Sequence, residues 1–109
     1  MTTKHFQTHI LIYQENDSTW YAHSLEFDIV GDGRTSQEAR NNLIDLFKVQ
    51  IQFAIKNNLE GKLYHPAPQK YFDMYNALGN RGVFEELETS KGCPITLLEK
   101  EYQGLAYAY

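Results

Sequence analysis

Glu26, Asp28 and Asp32 fall within seven positions of one another, immediately around a Gly-Asp-Gly segment. Convergent carboxylates of this kind can hold divalent metals that position a water and stabilise a leaving oxygen in phosphodiester cleavage. Glu26 and Asp28 share a face of any extended strand. No recognisable motif places a further carboxylate, so the simpler reading is a solvated strand end and a turn aspartate. His9 and His23 face each other across a hairpin if its loop holds an odd number of residues, and two imidazoles can begin a metal site. Zinc needs more ligands than these two, and Cys93 with His65 gives no recognised spacing, so partly buried, hydrogen-bonded histidines are expected. Cys93 has no base set beside it by a motif, and Ser24 and Thr35 lack the partners of a triad. Gly31-Asp32-Gly33 lacks the lysine and the flanking glycines of a phosphate loop and reads as a turn. The expectation is a chain with no catalytic residue, no metal ligand and no cofactor.

The elements that carry these residues read clearly in the first half. Residues 6–14 and 19–25 are rich in β-branched and aromatic side chains, and the Glu15-Asn16-Asp17-Ser18 segment between them is turn-forming, so the pair is a β-hairpin. With an even loop, Tyr13 lies opposite Trp20, Ile12 opposite Tyr21 and Ile10 opposite His23. Both faces are then substantially apolar, which requires cover on each side of the sheet. A third strand is expected over residues 27–31, with Gly31 and Gly33 allowing a sharp exit. Thr35-Ser36-Gln37-Glu38 has the spacing of a capping box and starts a helix that runs to about Asn57.

That helix does not carry an ordinary single stripe. At 100° per residue its apolar positions, from Val49 through Leu46, Leu43 and Phe47 to Ile55, span an arc of roughly 240°. Only Asn41, Asp45, Lys48, Gln52 and Lys56 form a solvated strip, with Asp45 and Lys48 spaced to pair. A helix so nearly surrounded must touch more than a small sheet. Trp20, Ile44, Phe47, Ile51, Ile55, Tyr71 and Tyr75 are therefore the candidate oligomer or partner interface. Charge at Ile44 or Ile55 should disturb association or folding.

After Tyr64-His65-Pro66-Ala67-Pro68 a short helix is expected over residues 68–79, with Tyr71, Tyr75 and Leu78 on one side. Val83–Glu88 reads as a brief helical turn and residues 95–102 as a last strand. Tyr64, Tyr71, Phe72, Tyr75 and Phe84 could line a groove, although wrapping the wide helix is their commoner use. The fold class is α+β: a three-stranded antiparallel sheet followed by a long helix, with a fourth strand open. Residues 1–58 are the core and 59–109 an extension packed on it, within one domain.

The 109 residues suffice for one hydrophobic core. Lys plus Arg number 10 and Asp plus Glu 14, a net charge of −4 that argues against general binding to nucleic acid or anionic membranes and suits a basic partner. The single cysteine has no partner for an intramolecular disulfide, and the longest early apolar run, residues 10–13, is too short for export or membrane insertion. A cytoplasmic location follows as the expectation.

The segment Val30-Gly31-Asp32-Gly33-Arg34-Thr35-Ser36-Gln37-Glu38-Ala39, following three strands and leading into a long helix, resembles the turn into the helix of the HicB-like antitoxin superfamily. The likeness covers residues 6–58, about half of the chain. It implies a partial, catalytically degenerate RNase H-like core, protein binding, and neutralisation of a small basic toxin ribonuclease, with no defined set of contact residues. Many members carry a Pro-Asp-Leu-Pro-Gly-Cys-like segment where this chain has Ser24-Leu25-Glu26-Phe27-Asp28-Ile29, closer to a short, solitary subgroup. No helix-turn-helix or ribbon-helix-helix pattern is present, so operator binding is not expected. The alternatives are an orphan homo-oligomeric assembly domain, dimeric or higher, and a small metal-dependent nuclease.

Overall fold

The structure is a computed structural model and describes residues 5–16, 18–79, 82–88 and 94–105. Seven main elements follow in the order β1 Phe6–Asn16, β2 Thr19–Ser24, β3 Ile29–Gly33, α1 Ser36–Lys56, α2 Gln69–Ala77, β4 Val83–Glu88 and β5 Pro94–Leu105. A short 3-10 turn, Glu60–Lys62, follows α1. The fold is α+β, but among the described residues the sheet has five strands, in the order β3-β2-β1-β5-β4.

It is also mixed rather than antiparallel. β5 runs parallel to β1, with Phe6 beside Ile95 and Ile10 beside Glu99, while the other neighbouring pairs are antiparallel. Val83–Glu88, expected as a helical turn, is a strand because β5 offers it a partner from Val83 at Glu99 to Glu88 at Pro94. That partner follows six to sixteen residues later, and local propensity decides little once a cross-strand neighbour is available. Residues beyond 58 thus supply α2 and two of the five strands, one of them directly beside β1.

The hairpin register also differs from the even-loop expectation by one residue. An irregularity between Gln14 and Asn16 sets Tyr13 opposite Tyr21, Ile12 opposite Ala22 and Ile10 opposite Ser24. His23 faces Leu11, so the two histidines are not a cross-strand pair. One consequence is a clean division of side chains. Ile10, Ile12, Ala22, Ile95 and Leu97 join Ala39, Leu43, Phe47 and Ile51 of α1 in one core. Leu11, Tyr13 and Leu25 join Ala67, Met74 and Tyr75 in a second. The sheet is therefore covered on both sides, by α1 and by α2, as its two apolar faces require.

α1 begins where the capping pattern places it: the Glu38 amide donates to Thr35 Oγ1 at 3.0 Å, and Thr35 is extended at φ −133°. Gly31 and Gly33 have a role other than the expected turn. Both lie within β3 beneath α1, and a Cβ on Gly31 would stand 2.3 Å from the Leu43 nitrogen and 2.7 Å from the Ala39 oxygen. A Cβ on Gly33 would meet the Ala39 nitrogen at 2.7 Å. The glycines let the helix backbone lie directly on the strand.

The side of α1 that meets the sheet is Ala39, Leu43, Phe47, Ile51 and Ala54. Lys48 and Gln52, expected in the solvated strip, are half-buried, and no Asp45–Lys48 ion pair forms among the described residues. Instead Leu46, Val49 and Phe53 face outward.

Candidate functional site

The residues with chemical potential come together on the α2 side of the sheet, in two histidine–carboxylate pairs. Residues 25–28 connect β2 to β3, and the Leu25 amide donates to the His9 carbonyl at 2.9 Å, drawing this turn against β1. Glu26 is thereby delivered to His9. Its Oε1 accepts from the His9 amide at 2.7 Å and from Thr8 Oγ1 at 2.8 Å, and its Oε2 lies 2.6 Å from His9 Nδ1. Thr8 Oγ1 is also 2.7 Å from Ser24 Oγ. Both carboxylate oxygens are committed inside the chain.

Asp28 closes the same turn in the left-handed region, φ 53°, where aspartate is one of the few tolerated side chains. Its Oδ1 accepts from His23 Nε2 at 2.6 Å. With that proton on Nε2, Nδ1 accepts from the Tyr13 hydroxyl at 3.3 Å. Burial of the His23 ring lowers its pKa from 6.5, and the hydrogen bond and charge of Asp28 oppose the shift. Burial likewise pushes Tyr13 upward, reinforced by Tyr71, and raises Tyr75 to about 12, with the Glu26 charge adding to it. Tyr71 stacks on Tyr13 at 5.5 Å between centroids and lies 4.7 Å from the His23 ring. Tyr75 meets His9 edge-on at 5.2 Å. Each imidazole has a carboxylate, and His23 has partners on both nitrogens, so the cluster fastens the turn and α2 to the sheet. Asp32 stands apart, exposed on β3 opposite Tyr21. Among the described residues no group of three or more His, Cys, Asp or Glu side chains converges for a metal. Cys93 lies outside the described residues, as does the Phe84 side chain.

A charged triad joins the other side. Arg40 interrupts the apolar arc of α1 and reaches across to Glu99 of β5 through Nε at 2.6 Å and to Glu85 of β4 through Nη2. Glu99 is buried, so this cation compensates a carboxylate held in the core. The break that Arg40 makes in the apolar arc was the available sequence signal for it.

Of the interface residues expected from sequence, Phe47, Ile51 and Tyr75 are buried in the chain's own two cores, and Trp20, Ile44, Ile55 and Tyr71 are half-buried against them. Among the described residues the large apolar side chains left to solvent are Val30 on β3, Tyr64 after the 3-10 turn, and three on the next stripe of α1. Val49 is 65 % exposed, Phe53 61 % and Leu46 45 %. At 100° per residue these three fall within roughly 60° of one another. Beside them the chain leaves α1 through Asn58, φ 56°, with the Leu59 amide bonded to the Ala54 carbonyl at 2.8 Å, and folds back. A shallow cleft of about 410 Å³ results, lined by Val49, Phe53, Ala54, Leu59 and Leu63 with Gln50 and Lys62. A larger cleft, about 810 Å³, lies at the start of α1 between Ser18, Asp32, Arg34, Glu38 and Asn42. It is polar, and among the described residues no buried side-chain polar atom lacks a partner.

The arrangement thus offers one apolar helix face with a neighbouring cleft and, elsewhere, polar groups that satisfy one another. Comparison with protein-family models, with curated proteins and with solved structures finds no match to this chain.

Proposed function

We propose that the chain is a non-catalytic protein-binding domain whose contact surface is the outward face of α1. The observation that carries this reading is the exposure of Leu46, Val49 and Phe53 together on the stripe of α1 next to the one that fills the core. Contiguous exposed apolar side chains are the ordinary mark of an interaction surface. The polar residues support the same reading: Glu26 and Asp28, the natural metal ligands of the nuclease alternative, are each held by a histidine.

The HicB-like resemblance around Gly31 to Ala39 names the wider role, an antitoxin with a partial RNase H-like core that neutralises a small basic toxin ribonuclease. The net charge of −4 suits such a partner, and the unpaired cysteine count suits the cytoplasm. No helix is long and apolar enough to cross a membrane among the described residues. The test is inhibition of the ribonuclease encoded by a neighbouring short basic reading frame, with wild type and with Val49→Asp. Inhibition by the wild type that weakens at least tenfold in the variant is expected. Equal inhibition by both chains rejects the α1 surface, and no inhibition of any such enzyme rejects the antitoxin role. The second reading, a homo-oligomeric assembly domain without a toxin, draws on the charges that border the same stripe.

A further inference from the structure

We infer that the outward face of α1 is occupied by a second copy of this chain, packed antiparallel along the helix so that Asp45 of each copy meets Lys56 of the other. The inference rests on the reading of that face as a protein-binding surface, adds the occupant and its orientation, and makes any toxin that binds through Val49 a competitor of the second copy.

Two independent features of α1 point to the same symmetry axis. The first is apolar. Val49 and Phe53 are the two most exposed apolar side chains of α1, one helical turn apart, and they are centred at the level of residue 51. A twofold axis there brings each Val49 to the level of the partner's Phe53, the self-complementary pairing that a dimer interface demands. The second is electrostatic. Asp45 and Lys56 are both exposed and border the apolar stripe on the same flank, at about 180° and 200° around the helix against about 220° to 280° for Val49, Phe53 and Leu46. Neither forms an ion pair among the described residues. In an antiparallel pair each flank faces its own copy, and opposite charges then meet at positions equidistant from the axis. Asp45 and Lys56 are equidistant from a point midway between residues 50 and 51, within about 1 Å along the axis of the centre that the apolar pair sets. A parallel pair would instead turn this flank toward the Gln50 and Asn57 side, where α1 itself carries no charge and only Lys62, beyond the helix, stands. The antiparallel arrangement also sets the two helix dipoles side by side in opposite directions.

The charge-reversal cycle tests this with the full chain, since all the positions are exposed and their substitution leaves the core intact. Sedimentation equilibrium at low salt should show a dimer for the wild type. Asp45→Lys and Lys56→Asp should each raise the dissociation constant about tenfold, because each reversal puts two like-charge contacts across the axis. The double variant should regain at least half of the loss on a logarithmic scale, and Val49→Asp should be monomeric and folded, with a thermal midpoint that no longer depends on protein concentration. A wild-type monomer overturns the inference. So does a dimer whose two single reversals are not rescued by the double, because another orientation or surface then holds it. A monomer that still inhibits a basic ribonuclease through Val49 would overturn the second copy as occupant and leave the binding surface standing. A monomer with no Val49-dependent binding to that enzyme would remove both.

Discussion

Gly31 illustrates how one hydrogen in place of a methyl sets the geometry of the whole α1 layer. Its absent Cβ would lie inside van der Waals contact of the Leu43 and Ala39 backbones, which cannot rotate away as a side chain can. Gly31→Ala should therefore lift α1 from β3 and cost about 1–3 kcal/mol or more, as overpacking does. An unchanged urea midpoint in that variant would mean that the helix does not lie on the strand as described. His23 gives a pH prediction. Burial lowers its pKa from 6.5 in the fold, so between the folded and unfolded values the unfolded chain binds more protons. Its contribution to stability is present above about pH 6.5 and declines as pH falls toward the folded pKa. Urea midpoints measured from pH 7.5 down to 5 should fall less steeply in His23→Gln than in the wild type. Parallel slopes would show that His23 carries no such linkage.

α1 is held near its start by a cap and, one turn further on, by a charge. Thr35→Ala removes the acceptor of the Glu38 amide and should cost about 1 kcal/mol, read from the denaturant midpoint. Arg40→Met leaves Glu99 in the core with its cation gone, a loss of about 3 kcal/mol, whereas Arg40→Met with Glu99→Met should recover most of it. A single variant as stable as the double would deny that Arg40 compensates Glu99. The cap was legible in Thr35-Ser36-Gln37-Glu38 because its chemistry is contained within four residues. So were α2, after Pro68, and the need for cover on both faces of the hairpin. The strand nature of Val83–Glu88 was not, since it depends on pairing with residues six to sixteen positions further along the chain. The hairpin register was lost to a single irregularity between Gln14 and Asn16, which no composition rule fixes. Gly31 and Gly33 were visible as special positions, but a close approach and a turn select the same residue.

The molecule as a whole places its two kinds of chemistry on opposite sides of one five-stranded sheet. The α2 side holds imidazoles, carboxylates and tyrosines that satisfy one another, and the α1 side ends in apolar surface that nothing in the described chain covers. The 240° arc announced excess apolar surface on α1, yet sequence could not say which edge of it the core would take. Phe47 and Ile51 went to the sheet while Val49 and Phe53 remained outside, a choice made by how Gly31 and Gly33 seat the helix. The account of what covers that surface therefore stands on α1 meeting a second copy of this chain. Sedimentation equilibrium of the wild-type chain beside Phe53→Asp, from 1 to about 100 µM, measures this most directly. A wild type that associates and a folded Phe53→Asp chain that does not is the predicted result; two chains with the same mass at every concentration would contradict it.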